Sequence, residues 1–303
     1  MRAHWTAIAP IHYDWALPVG LTLPHRFAEG VTLAKIPGWV TSEDVLDLLS
    51  YPSRIKLKQD TAYCISVDYQ AEEESLSRSI KDVKFDLIKD VNYSLWLARP
   101  TGLGFFCVIF GRKTNHEWLW KKLFEVESTY PVPNYARDQL DAEDFVKASK
   151  LFSGFQALFP GGTLRMATDA AVVALTQKEW PLRFLLFWLV IESLFGPEAA
   201  REMTFRLSQR VALFLEGKNS SKAREIFEQV KASYGWRSKL VHGLRLSKLK
   251  SEESRELIVC LEEIIRQSML KILGDPELVK CFNSKERETF LDGLAFASVV
   301  ENQ

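Results

Sequence analysis

Apolar residues in the second half of the chain recur every three or four positions, the spacing that gives a helix one buried stripe. Phe145, Ala148, Phe152 and Phe155 follow it between Asp141 and Phe159, and Pro160-Gly161-Gly162 ends the segment. Thr163 to Gln177 is Ala-rich and reads as a second helix. Leu182 to Phe195 is almost wholly apolar, as a helix buried in a protein core would be. Glu198 to Glu216 puts Met203, Leu207, Val211 and Phe214 on one stripe and closes at Gly217. Ser220 to Tyr234, Glu252 to Leu273 and Ser284 to Val299 repeat the pattern, which predicts an all-α bundle.

The first half has a different grammar. Gly30 to Val40, Thr61 to Tyr69, Tyr93 to Ala98 and Phe105 to Phe110 are short β-branched and aromatic runs punctuated by Gly and Pro, and they predict strands. Thr41 to Leu49 reads as a short helix, Glu72 to Asp90 as a charged helix with an Ile80, Val83, Leu87 stripe, and His116 to Val126 as a third. Tyr130-Pro131-Val132-Pro133 cannot continue a helix and makes a natural boundary. The expected organisation is an α+β domain over residues 1–138 and a helical domain over 139–303.

Length and composition agree with two folded domains: the chain has 303 residues, 47% hydrophobic and 26% charged. A formal charge of zero with that hydrophobic content excludes a disordered chain. Cys64, Cys107, Cys260 and Cys281 form no C-x-x-C pair, so they read as reduced thiols of a cytoplasmic protein. The N-terminus lacks the apolar core of a signal peptide. Leu182 to Phe195 is shorter than the ~18 apolar residues of a membrane span, and no membrane association is expected.

Charge is unevenly placed. Gly217 to Lys250 holds nine basic residues (Lys218, Lys222, Arg224, Lys231, Arg237, Lys239, Arg245, Lys248, Lys250) and two acidic ones, a net +7 in a neutral protein. Such segregation suits a phosphate backbone. His242, the one histidine of the helical half, lies five residues after Arg237 inside Tyr234-Gly235-Trp236-Arg237-Ser238-Lys239-Leu240-Val241-His242-Gly243. On a straight helix that step turns the two side chains about 140° apart, and the bracketing Gly235 and Gly243 suggest a break that lets them converge. Cleavage of RNA by its own 2′-OH needs a base, an acid and positive charge on the crowded phosphorane. Histidine serves either proton role and arginine grips the non-bridging oxygens as a fork. That chemistry requires neither metal nor cofactor. One histidine per chain serves two proton transfers poorly, so a two-fold dimer with a composite cleft is expected.

These residues resemble the R-x4-6-H motif of HEPN domains. The resemblance extends to Ile191-Glu192-Ser193-Leu194-Phe195, similar to the "IEALF" helix end of ApeA-like HEPN proteins, and to Glu202 through Ala212, similar to their E-x-x-F-R-L-x-x-R-x-A helix. Tyr234 through Gly243 matches their Y-x-x-R-S-x-x-V-H-G signature. The resemblance implies a dimeric, metal-independent endoribonuclease with Arg237 and His242 as its catalytic pair. It also implies RNA, transfer RNA among others, as substrate, a phage trigger or regulatory protein as partner, and a role in anti-phage defence or as a toxin. Many active members place Asn, Asp or His after the arginine; Ser238 stands there, as is common in the ApeA-like branch.

Supporting roles follow. Ser238 and Lys239 are expected to contact phosphate, and Tyr234 to pack at the end of its helical stripe. Glu192, polar in an apolar helix, needs a partner if buried, and Arg206 or Arg210 is expected to provide it. Glu202, Arg206 and Arg210 at i, i+4 and i+8 suggest an ion-pair ladder along one helix. Six of nine tryptophans (Trp5, Trp15, Trp39, Trp96, Trp118, Trp120) fall in the N-terminal half, where core packing is the expectation and an exposed sensing surface the sharper alternative. Rival readings are a non-catalytic HEPN scaffold that binds RNA, a nucleotide or a protein, and an N-terminal effector that the helical half only dimerises.

Overall fold

The structure is a computed structural model and describes residues 2–12, 18, 20–59, 61–72, 78–114, 117–129, 140–197, 202–217, 220–243 and 251–300. Strands β1 (Arg2–His12), β2 (His25–Ala28), β3 (Val31–Lys35), β4 (Tyr63–Glu72), β5 (Gly104–Thr114) and β6 (Glu117–Thr129) form one antiparallel sheet in the order β2-β3-β4-β1-β5-β6. Helices α1 (Glu43–Leu46), α2 (Tyr51–Gln59), α3 (Arg78–Ala98) and α4 (Ala142–Gln156) join it, with a 3₁₀ turn at Gly38–Thr41. Seven more helices follow: α5 (Thr163–Thr176), α6 (Trp180–Phe195), α7 (Met203–Glu216), α8 (Ser220–Val241), α9 (Ser251–Leu273), α10 (Pro276–Phe282) and α11 (Glu286–Val300). An α+β region followed by a helical region is thus the architecture.

β1 pairs with β4 from Arg2 to Pro10 and with β5 on both sides of a register shift between Ile8 and Ile11, where Pro10 falls. Every residue from Trp5 to Ile11 is buried, because this central strand is covered on both faces. Such a strand shows no alternation, so periodicity alone does not reveal it. One face packs Ile8, Cys64 and Ile109 against Val40, Val45, Leu46, Leu49 and Leu57 of the short helices. On the other, Phe85 of α3 meets Phe105 edge-on at 6.0 Å and Lys84 lies 5.0 Å over the Tyr69 ring. Burial pushes the Cys64 and Cys107 thiols up to about 12, so neither is a ready nucleophile.

Two expected elements change type. Tyr93 to Ala98 is the end of α3, not a strand. Val91 to Ala98 is buried throughout, so this stretch of helix has no polar face to display a helical period. The segment expected as a helix over His116–Val126 is edge strand β6, paired with β5 from Gly104↔Thr129 to Thr114↔Glu117, with His116 itself outside the described residues. A four-residue step returns to one face of a regular strand as it does of a helix, so the spacing of Trp120 and Phe124 in the sequence does not discriminate. α2 was not foreseen, while α1 and the 3₁₀ turn fall within the expected Thr41–Leu49 and Gly30–Val40 segments or at their edges. The Tyr130–Pro133 boundary and Trp15 lie outside the described residues.

α4 packs with the sheet. Phe145 meets His25, Phe152 meets Phe27 and Phe155 meets Tyr93, at 5.5, 6.3 and 5.8 Å between ring centres. Ser149 Oγ lies 2.9 Å from His25 Nε2, and Arg99 pairs with Asp141 and Asp144 at 2.7 and 2.6 Å. The chain therefore divides into units Met1–Phe155 and Gln156–Gln303, one helix later than the division expected at 138/139.

In the helical unit, α6 is the central element. Phe184, Phe187, Trp188, Val190, Ile191, Leu194 and Phe195 are each at most 1% exposed. Phe195, Phe214 and Phe282 pack tilted and edge-on into one cluster with ring centres 5.3–6.1 Å apart, and Phe290 extends it, joining α6, α7, α10 and α11. The other end of α6 is tied to α9 by an ion pair of the half-buried Arg183 with the buried Glu262. Burial pushes the Glu262 carboxyl above its ordinary value, against the pull of Arg183. Among the described residues no helix is long and apolar enough to cross a membrane.

Removing one partner of such a pair strands a buried charge, so Arg183→Met is expected to cost about 3 kcal/mol. Arg183→Met with Glu262→Met should recover most of that loss, as read from urea unfolding midpoints.

Candidate functional site

α8 runs through Gly235 without a break, and its hydrogen bonding reaches His242, whose N–H donates to Ser238 O at 3.1 Å. Gly243 ends it with a φ of 65°, in the left-handed region open to glycine, and donates to Leu240 O. The break expected near Gly235 is absent because helical bonding alone carries the backbone across it. Arg237 and His242 accordingly stay about 140° apart around one helix and do not converge within the chain.

Arg237 is half-buried and turns toward α6. Its Nη2 lies 3.0 Å from Glu192 Oε1 and 3.1 Å from Oε2. Glu192 therefore takes Arg237 as its partner, not Arg206 or Arg210 as expected. Only Nη2 is engaged, so among the described residues Nε and Nη1 keep their donors for another acceptor. Beneath the guanidinium lies Tyr234, its ring centre 5.7 Å away. Tyr234 in turn stands edge-on to Trp188 at 5.3 Å, and Trp188 Nε1 donates to Ser233 Oγ at 3.2 Å. Tyr234 thus serves as packing that supports Arg237.

His242 is exposed, and its ring makes no hydrogen bond to a described residue. Lys222, Arg224, Lys231 and Lys239 are exposed too, and Ser238 is half-buried. Lys239 Nζ lies 3.9 Å over the ring of Trp236. Lys218, Arg245, Lys248 and Lys250 of the basic segment lie outside the described residues.

Glu192 owes its position to the end of α6. The last four carbonyls of a helix lack intrahelical partners, and here each finds one. Glu192 O accepts from Gly196 N–H at 2.8 Å. Arg287 of α11 donates to Ser193 O and, at 3.5 Å, to Leu194 O. Arg210 of α7 donates to Phe195 O at 3.1 Å. A Cβ at Gly196 would stand 2.4 Å from Glu192 O, so only glycine allows this close turn.

Arg206 and Arg210 reach across to α11 and form no ladder along α7. Arg210 Nη2 meets Glu288 at 2.7 Å and Asp292 at 2.6 Å, and Arg206 Nη2 meets them at 3.3 and 3.2 Å. Glu202 caps the start of α7 with a left-handed φ of 51°, and both arginines turn to Glu288 and Asp292 instead. Burial works against charge on Asp292, but hydrogen bonds from Arg210 and Arg206 outweigh it and hold the carboxyl below its ordinary value.

Arg287, Glu288 and Asp292 were not singled out from the sequence. A signal existed: Glu288 and Asp292 are spaced i, i+4, as are Arg206 and Arg210, so two matched faces of opposite charge were legible. Among the described residues, no three His, Cys, Asp or Glu side chains gather as a group that could hold a metal ion. Compared with known protein families, curated proteins and solved structures, the chain matches none.

A carboxyl held low in the fold stabilises it above its unfolded pKa and stops doing so as pH falls through the folded value. The stability gap between wild type and Asp292→Asn is therefore expected to be constant near neutrality and to shrink below about pH 4. Urea unfolding at stepped pH measures it.

Proposed function

We propose that the helical unit is an ApeA-like HEPN endoribonuclease that cleaves RNA through the 2′-OH without a metal, at a cleft built from two copies of the chain. One observation carries this reading. Arg237, anchored by one nitrogen to Glu192 and with donors to spare, precedes by five residues an exposed histidine at the end of a basic helix. An arginine so held offers a pre-oriented fork to a phosphate at low entropic cost. His242, open to solvent, is placed to exchange protons with a bound ribose or leaving 5′ oxygen. Ser238 and the exposed Lys239 flank the approach, and Lys231 and Arg224 extend the positive surface along α8.

In this reading the α+β unit targets or restrains the cleavage, and the protein acts in the cytoplasm in anti-phage defence or as a toxin. A phage component or regulatory protein releases its activity, and transfer RNA is among the substrates. Glu192, Tyr234, Arg206 and Arg210 support the site without touching RNA.

The Glu192–Arg237 pair also favours a second reading. An ion pair of this kind accounts for Arg237 without catalysis, in a scaffold that binds RNA or a protein.

Purified wild type, incubated with total cellular RNA in EDTA, is expected to leave 2′,3′-cyclic phosphate ends. Arg237→Ala and His242→Ala should each lower the rate by about 10²–10⁴-fold. Glu192→Gln should fold normally and cleave more slowly than wild type. Equal cleavage by wild type and His242→Ala would reject the nuclease in favour of the scaffold.

A further inference from the structure

Phe205, on the first turn of α7, is 52% exposed, although its side chain has no polar atom to offer water. A lone exposed ring is ordinary on a protein surface, but this one is braced and flanked. It stands edge-on to the half-buried Phe227 of α8, with ring centres 5.5 Å apart and planes at 71°. Lys231 Nζ lies 5.6 Å over the Phe227 ring. A hollow of about 470 Å³ opens beside the exposed ring, lined by Glu202, Met203, Thr204 and Phe205 itself.

The brace belongs to a longer surface. At about 100° per residue, Arg224, Phe227, Lys231, Gly235, Ser238 and His242 lie within an arc of about 80° on α8. Arg224, Lys231 and His242 are exposed, and His242 stands in line with Arg224 about five turns further on. No acidic residue falls inside the arc, and Glu228 borders it. From Phe227 to His242 the helix rises about 22 Å, room for several nucleotides of a single strand.

Aromatic faces interleaved with cations are what a single-stranded nucleic acid requires, since its bases stack and its phosphates pair. A purely apolar partner would cover the rings but strip water from Arg224 and Lys231 without replacing it. The bases of a duplex are already stacked on one another and have no face to give Phe205. Glu202 repels phosphate and can accept hydrogens from a base amino group, so the base, not the backbone, faces the hollow.

We infer that Phe205, braced by Phe227, is a stacking platform for one unpaired base of a single-stranded nucleic acid. The backbone of that strand follows Arg224 and Lys231 along α8 toward His242. Binding at the platform does not depend on cleavage. The link to His242 deepens the nuclease reading and rests on it: the substrate is then an unpaired stretch, gripped at a base several nucleotides from the bond that is cut.

The test reads the fluorescence anisotropy of a short labelled oligodeoxyadenylate, which has no 2′-OH to react, with the full-length chain. Wild type is expected to bind this strand more tightly than the same strand annealed into a duplex. Phe205→Leu keeps an apolar side chain against Phe227 but removes the π-face, and should weaken single-strand binding about tenfold while sparing the duplex. Phe205→Trp should bind at least as tightly as wild type. Lys231→Ala should make the slope of log affinity against log salt shallower by about 0.7. With single-stranded RNA as substrate, Phe205→Leu should raise KM and leave kcat near wild type. Equal binding by wild type and Phe205→Leu, equal losses on strand and duplex, or a Phe205→Trp as weak as Phe205→Leu would overturn the platform. A wild-type dimer that Phe205→Leu converts to a monomer would assign the ring to a protein contact and overturn it as well. Cleavage by wild type with KM unmoved in Phe205→Leu would keep the nuclease and overturn the platform. Single-strand binding that depends on Phe205, in a protein that cuts no RNA, would remove the nuclease reading and leave the platform standing.

Discussion

Four carbonyl groups at the end of α6 impose the constraint on which the helical unit turns. A helix that ends inside a protein must give its last carbonyls new partners, or lose free energy for each one buried bare. Here Gly196 and the side chains of Arg210 and Arg287 provide them. Cations at that end also complement the helix dipole. Arg210 is itself only 2% exposed, so it requires Glu288 and Asp292 close by. The termination of one helix thus fixes the relation of α6, α7 and α11, and the phenylalanine cluster beside it consolidates the same three helices.

Glu192 sits on that terminal turn, so whatever fixes the turn also fixes the carboxylate. Its hold on Arg237 converts a long, mobile side chain into an oriented one, and Tyr234 and Trp188 fill the space beneath. The arrangement has an inner shell that is apolar and aromatic and an outer edge that is basic and wet. Such a gradient suits recognition of a phosphate: the packed side gives rigidity and the wet side admits the anion. It equally suits a structural ion pair, which is why a chemical readout, and not geometry, separates the nuclease from the scaffold.

The N-terminal unit follows a different logic. Its central strand is covered on both faces, by short helices on one side and by α3 on the other, and α4 adds its phenylalanines to the same body. Its large aromatics Trp5, Tyr93 and Trp96 are buried in the core.

The sequence by itself determined where helices lie in the second half. Each has one wet and one dry side, or in α6 an almost wholly apolar run between Pro181 and Gly196, and local pattern is enough to mark such segments. It also singled out Arg237, His242 and Glu192 as chemically unusual for their surroundings. Where burial is complete the period vanishes, and so Tyr93 to Ala98 and β1 were not legible; where four-residue spacing serves both helix and strand, β6 was not either. Only the tertiary structure decided which charges meet. Glu192 met Arg237, 45 positions away, and Arg210 met Glu288 and Asp292, 78 and 82 positions away. Partner choice between charged side chains depends on the distances that packing imposes, and a linear pattern records residue types but not those distances.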